Sequence, residues 1–244
     1  MGLDQIVMIA LGALAGGFVS GLAGFGTGLT AMGIWLHAVP PATAASLVVI
    51  CSVVSQLQTI PAVWHAIRPR LALPFIVPGL LGAPIGAWLL AYVDPGAFRL
   101  GMGVLLIGFS IFLLVCGPGL KLAWGGRALD ALVGLAGGVL GGIAGLSGVL
   151  LTMLAALRGW GKDERRGLFQ AFNLSILLVA LAAHAFGGRL TVAVGWATAA
   201  ALPGTFLGAW LGGQVYRRLS DRRFHDVILG LLALSGLTLV WAGL

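Results

Sequence analysis

Long apolar runs separated by short polar connections are the dominant pattern of the chain. Eight segments can be marked off, at roughly 5–38, 41–66, 71–92, 98–116, 127–158, 167–186, 190–215 and 224–243. Each is near or above the ~20 residues with which a helix crosses hydrocarbon. Helix is the expected state throughout, because a chain in lipid must satisfy its backbone hydrogen bonds internally. The expected class is therefore all-α, a polytopic membrane protein.

Two segments break the pattern. Those at 5–38 and 127–158 hold 34 and 32 residues. As straight helices they would be about 50 Å long, against a hydrocarbon core of about 30 Å. Both carry a glycine-rich interruption. The first runs Gly16-Gly17-Phe18-Val19-Ser20-Gly21-Leu22-Ala23-Gly24-Phe25-Gly26-Thr27-Gly28, and it returns from Gly137 onwards, 121 positions later. Gly82, Gly86, Ala87, Trp88 and Leu89 likewise reappear as Gly204, Gly208, Ala209, Trp210 and Leu211, at a shift of 122. Two motifs that recur in the same order at nearly the same shift predict a duplication. The halves are 1–120 and 121–244, four segments each, within one membrane domain.

Composition supports the membrane reading. The chain is 59% hydrophobic and 9% charged, whereas a soluble domain has roughly a quarter charged residues. The net charge of +7 does not indicate nucleic-acid binding, because the basic residues sit in the connections, where they set topology. If all eight segments cross, the basic residues divide 9 to 5 between the two sides. If the segment at 127–158 enters and returns on one face, they divide 12 to 2, with only Arg99 and Arg189 opposite the rest. The second division obeys the positive-inside rule far better. The segment at 5–38, by its likeness, is then re-entrant too. Each half becomes a re-entrant hairpin plus three crossings, and that odd number inverts the second half relative to the first. Inverted repeats with discontinuous helices are a common plan of secondary transporters. The first apolar run has no basic flank, only Asp4, and reads as part of the repeat rather than as a cleavable signal. Cys51 and Cys116 lie in apolar runs without metal-ligand spacing, and no cofactor is expected.

Polar positions inside the runs are few. Ser52, Ser55, Gln56 and Thr59 share one helix face, and so do Gln170, Asn173 and His184. Small residues at every fourth position predict close helix packing: Gly12, Gly16, Ser20 and Gly24; Gly134, Gly138 and Gly142; and the pairs Gly82/Gly86 and Gly204/Gly208. Asp4, Asp94, Asp130 and Asp226 all fall near segment ends, and no arginine is expected inside the membrane to hold an anion as a point charge.

That leaves the two breaks as candidate chemistry. A half-helix that starts inside the membrane presents unpaired N–H groups and the positive end of its dipole, which together suit an anion. The expected binding residues are Gly24, Phe25, Gly26, Thr27 and Gly28 at the first break, and Gly145, Leu146, Ser147 and Gly148 at the second. Gln56 and Asn173 contribute side chains.

The doubled glycine-rich break and the later Gly-x-x-x-Gly-Ala pattern resemble the sulfite exporter TauE/SafE family, also called the toluene sulfonate uptake permease family. The resemblance extends over both halves. That family's break usually reads Gly-x-Gly-Gly-Gly with a proline five residues on; here Thr27 replaces a glycine, and Gly33 and Leu154 stand at the proline's places. The resemblance implies a prokaryotic inner-membrane permease for sulfite, thiosulfate, sulfonates or other small anions. Its partners would be the anion and membrane lipids, with no nucleic acid; a homodimer is compatible with it. Two rival functions are also compatible with the sequence. Gly145-Leu146-Ser147-Gly148 also matches the Gly-x-Ser-Gly of rhomboid proteases, with His184 as the partner base of a Ser–His dyad. An anion channel is the other alternative.

Overall fold

The computed structural model describes residues 2–89, 95–116, 125–144 and 147–243. Those residues form α-helices joined by short connections, with no strand among them. The helices are α1 (Leu3–Ala23), α2 (Thr27–Trp35), α3 (Pro41–Val63), α4 (Pro69–Leu89), α5 (Pro95–Cys116), α6 (Gly126–Ala144), α7 (Gly148–Leu157), α8 (Lys162–Phe186), α9 (Val192–Arg218) and α10 (Asp221–Gly243). Five stretches among the described residues are long and apolar enough to cross a membrane: Leu3–Ala23, Ala42–Ala66, Pro69–Gly86, Lys162–Phe186 and Val192–Arg218. Large apolar side chains such as Leu81, Trp196, Leu207 and Trp241 face outward, as lipid contact requires.

Both long segments are pairs of helices that double back. Gly16 packs on Thr27 and Ala31, Gly12 packs on Trp35, and Trp35 Nε1 donates to Ile9 O at 2.9 Å. Later residues of α2 thus meet earlier residues of α1, and α2 runs back along α1. In the same way Gly141 faces Ser147, and Gly137 faces Ser147 and Leu151. Arg158, just past α7, pairs with Asp130 near the start of α6 at 2.6 Å. α3 leaves from the mouth of the first hairpin and α8 from the mouth of the second. These two helices are antiparallel: Ser46 meets His184, Gln56 meets Gln170, and Ala66 meets Gly167. The hairpins therefore open on opposite faces.

The small-residue ridges divide between two partners. Gly12 and Gly16 face α2, whereas Gly17 and Gly21 lie on the backbone of α9 at Thr205 and Ala209. On α9, Gly204, Gly208 and Gly212 lie on the α1 backbone between Ala10 and Leu22. Gly82 and Gly86 of α4 bear on Leu135 and Val139 of α6, and Gly134 and Gly138 return the contact at Phe75 and Gly79. Each hairpin is thereby clasped by a helix from the other half of the sequence. α5 and α10 pack on each other, where Ser110 Oγ reaches Leu229 O.

The face on which the second hairpin opens carries a polar network. Arg68 pairs with Glu164 at 2.7 Å, Lys162 Nζ donates to Leu219 O, the Lys162 N–H to Asp221, and the Tyr216 hydroxyl to Asp163. The basic connections at 68–70, 158–166 and 217–223 thus gather on one side, while Arg189 follows the far end of α8.

Candidate functional site

Two glycines create the first break. α1 stops where Gly24 turns left-handed (φ 82°) and returns its N–H to Ser20 O at 2.8 Å; Gly26 (φ 97°) then precedes α2. L-residues avoid such angles, and glycine adopts them freely. Phe25, between them, is buried edge-on against Phe169 of α8, with centroids 5.8 Å apart, which anchors the loop. No side chain caps α2. The N–H groups of Thr27 and Gly28 therefore have no acceptor within their own helix.

The other side of the break, the C-terminal end of α1, exposes carbonyls, and three side chains meet them. Gly24 O accepts from Gln56 Nε2 at 2.7 Å and from Asn173 Nδ2 at 3.1 Å. Leu22 O and Gly21 O accept from the guanidinium of Arg166. Arg166 is fully buried, stacks 3.8 Å from the Tyr216 ring centroid, and has no carboxylate at ion-pair distance among the described residues. This corrects the expectation that no arginine enters the interior. The sequence suggests a sixth segment from residue 167 and leaves Arg166 in the connection, but α8 begins at Lys162. Residues 165–170 of α8 are all buried, and Arg166 lies among them. A cation beside the negative end of a helix dipole is favourable.

The second break mirrors part of this. α6 ends at Ala144 and α7 starts at Gly148; Gly145 and Leu146 lie outside the described residues. Ser147 Oγ donates to Asn173 Oδ1 at 2.7 Å. A Cβ on Gly148 would stand 3.1 Å from the Phe25 Cβ and 3.2 Å from Asn173 Nδ2, so the two breaks touch. Asn173 links them, holding Gly24 with its amide nitrogen and Ser147 with its amide oxygen. It lies 11 residues from the start of α8 and 13 from its end, about 17 Å and 20 Å along the axis and so near mid-depth.

A cavity opens at this junction. Phe25, Gly26, Thr27, Gly28, Ser52, Gln56, Ser147, Gly148, Val149, Asn173 and Leu177 line it. Gly26, Thr27, Gly28, Ser52 and Gln56 each have a lining residue 121 positions later, namely Ser147, Gly148, Val149, Asn173 and Leu177. The cavity admits the centre of a water molecule over about 20 Å³, which is room for roughly one water. The space at the centre is therefore small.

Of the residues expected at the site, Gly24, Phe25, Gly26, Thr27, Gly28, Gln56, Ser147, Gly148 and Asn173 meet here. Ser52, Val149 and Leu177 also line it but were not expected there. The repeat could have found Ser52, which stands 121 residues before Asn173. Gln170 braces the site from behind, donating to Gln56 O at 2.8 Å and to Thr59 Oγ1. The Ser147–His184 pairing is overturned. Ser147 bonds Asn173, whereas His184 bonds Ser46 at 2.9 Å, about 17 Å further along α8.

Interrupted helices that meet at a small cavity, in a chain with several helices long and apolar enough to cross a membrane, are the features of a multi-pass membrane protein. The family model for the sulfite exporter TauE/SafE matches residues 8–239, and the chain belongs to that family of membrane transporters. No curated protein and no solved structure matches it.

Proposed function

We propose that the chain is a secondary permease for a small anion, most simply sulfite, thiosulfate or a sulfonate, working by alternating access. The observation that carries this reading is the meeting of two helix N-termini on one cavity at mid-depth. α2 and α7 direct backbone N–H groups and positive dipole ends at the same point, and such ends attract anions. Binding by amides and hydroxyls, without a lining cation, is weak enough to release the cargo.

The halves 1–120 and 121–244 act as inverted repeats of four segments each, the first segment of each being re-entrant. Support comes from hairpins that open on opposite faces and from lining residues that pair at a spacing of 121. The small cavity corresponds to a closed intermediate. Loading requires one hairpin to shift against α3 and α8, opening the centre to one face at a time. The basic face is cytoplasmic by the positive-inside rule.

Two measurements test the reading. In proteoliposomes the protein should carry sulfite, thiosulfate or a small sulfonate faster than empty vesicles, and Thr27→Val with Ser147→Ala should slow that flux about tenfold while the protein stays folded. No flux above empty vesicles for any of these anions would reject it. In intact cells, cysteines replacing Arg68 and Arg222 should both resist an impermeant maleimide, while one replacing Arg189 should react. Eight plain crossings would put positions 68 and 222 on opposite sides, so labelling of only one of that pair would reject the hairpin topology.

A further inference from the structure

This inference rests on the anion-transport reading and concerns what the anion must carry. The hydrogen bonds around the cavity separate donors from acceptors. The two helix N-termini supply backbone donors. The fixed side chains offer the opposite. Gln56 is 1% exposed and commits Nε2 to Gly24 O at 2.7 Å, which leaves Oε1 buried without a donor. A carbonyl can only accept, so the amide cannot be turned over without setting oxygen against oxygen. Ser147 commits its single hydroxyl proton to Asn173 Oδ1 at 2.7 Å, so its oxygen has only lone pairs left for a guest. The hydroxyls of Thr27 and Ser52 also line the cavity and can donate or accept. No titratable side chain is among the lining residues, and Arg166, behind the break, is turned to the α1 carbonyls.

We infer that the site selects a singly charged oxyanion that carries a proton: hydrogensulfite, not the sulfite dianion. The anionic oxygens take the N–H groups of α2 and α7, and the guest's own proton satisfies Gln56 Oε1, the lining oxygen left without a donor. A dianion would instead set a second negative charge against those lone pairs with no lining cation to balance it. A buried acceptor left without a donor is unfavourable, so the proton contributes to recognition and crosses with the cargo.

The test is direct binding to the purified full chain by calorimetry, with sulfite at pH values on both sides of its second ionisation and with chlorate at the same pH values. Chlorate has the same pyramidal shape and one charge, but no proton. Sulfite affinity should follow the hydrogensulfite fraction. Chlorate should bind about tenfold more weakly than hydrogensulfite and be flat across pH, which also controls for titration of the protein. Gln56→Met should bring hydrogensulfite down to chlorate; if that variant does not fold, the wild-type comparison decides alone. Chlorate binding as tightly as hydrogensulfite, or sulfite binding that holds or rises above the ionisation, would overturn the inference and leave anion transport standing. Failure of all three anions to bind would remove the transport reading and this inference together.

Discussion

Asn173→Asp is expected to cut anion flux about a hundredfold at alkaline pH and to return much of it at acid pH, each measured against wild type at the same pH. The wild-type amide faces Gly24 O with its nitrogen and Ser147 Oγ with its oxygen. A carboxylate can still accept from Ser147, but its second oxygen then stands against Gly24 O, acceptor against acceptor. It also puts a negative charge where the anion binds. A carboxyl group removes both faults at once, because its O–H donates to Gly24 O much as the amide did. The fold thus favours the protonated form. Folding takes up a proton, and the variant's stability, present at low pH, falls as pH rises. Flux and thermal stability should therefore fall together across one pH window. Flux that matches wild type at every pH would show that Asn173 does not hold the two breaks.

How far this site was legible in the sequence depends on how local each cause is. Gly24 and Gly26 were legible because a left-handed turn needs glycine whatever surrounds it. Asn173 was legible because Gln170 and Asn173 share a face within an apolar helix, where a polar group seeks the interior. The interruption between α6 and α7 was legible in the excess length and the glycine break, but its doubling back showed only in the division of basic residues, since an apolar helix carries no mark of its direction in the membrane. Arg166 was not legible. Its acceptors, Gly21 O and Leu22 O, lie about 145 residues away, and a charged pair before an apolar run looks like any cytoplasmic connection. The ridge Gly12–Gly16–Ser20–Gly24 was legible as packing but not in its partner. α1 carries a second ridge, Gly17 and Gly21, and only the assembled helices assign Gly12 and Gly16 to α2, Gly24 to α8, and Gly17 and Gly21 to α9.

That assignment makes two neighbouring glycines behave oppositely. Gly212→Ala should destabilise the protein by about 1–3 kcal/mol, while Gly213→Ala should be neutral or stabilising by up to ~1 kcal/mol through helix propensity. A Cβ on Gly212 would lie 2.1 Å from Phe18 O and 2.7 Å from Leu22 N, whereas one on Gly213 meets nothing within 4 Å. The obstacle at Gly212 is main chain, which cannot rotate aside, so α1 and α9 must separate. Separation is costly here, because close contact replaces the hydrophobic effect as the force between helices in lipid. The same close approach occurs at Gly208, 2.2 Å from Leu14 O, so a shift at one point opens the whole seam. Melting of the purified variants in detergent reads the difference, and equal melting temperatures for the two neighbours would show that the helices do not approach so closely. The damage should also reach transport. Phe18 and Leu22 lie in the last turns of α1 before Gly24, so moving α1 away from α9 carries the first break out of register with the second. Gly212→Ala should then lose flux beyond what its lost stability explains, whereas Gly213→Ala should transport as wild type does.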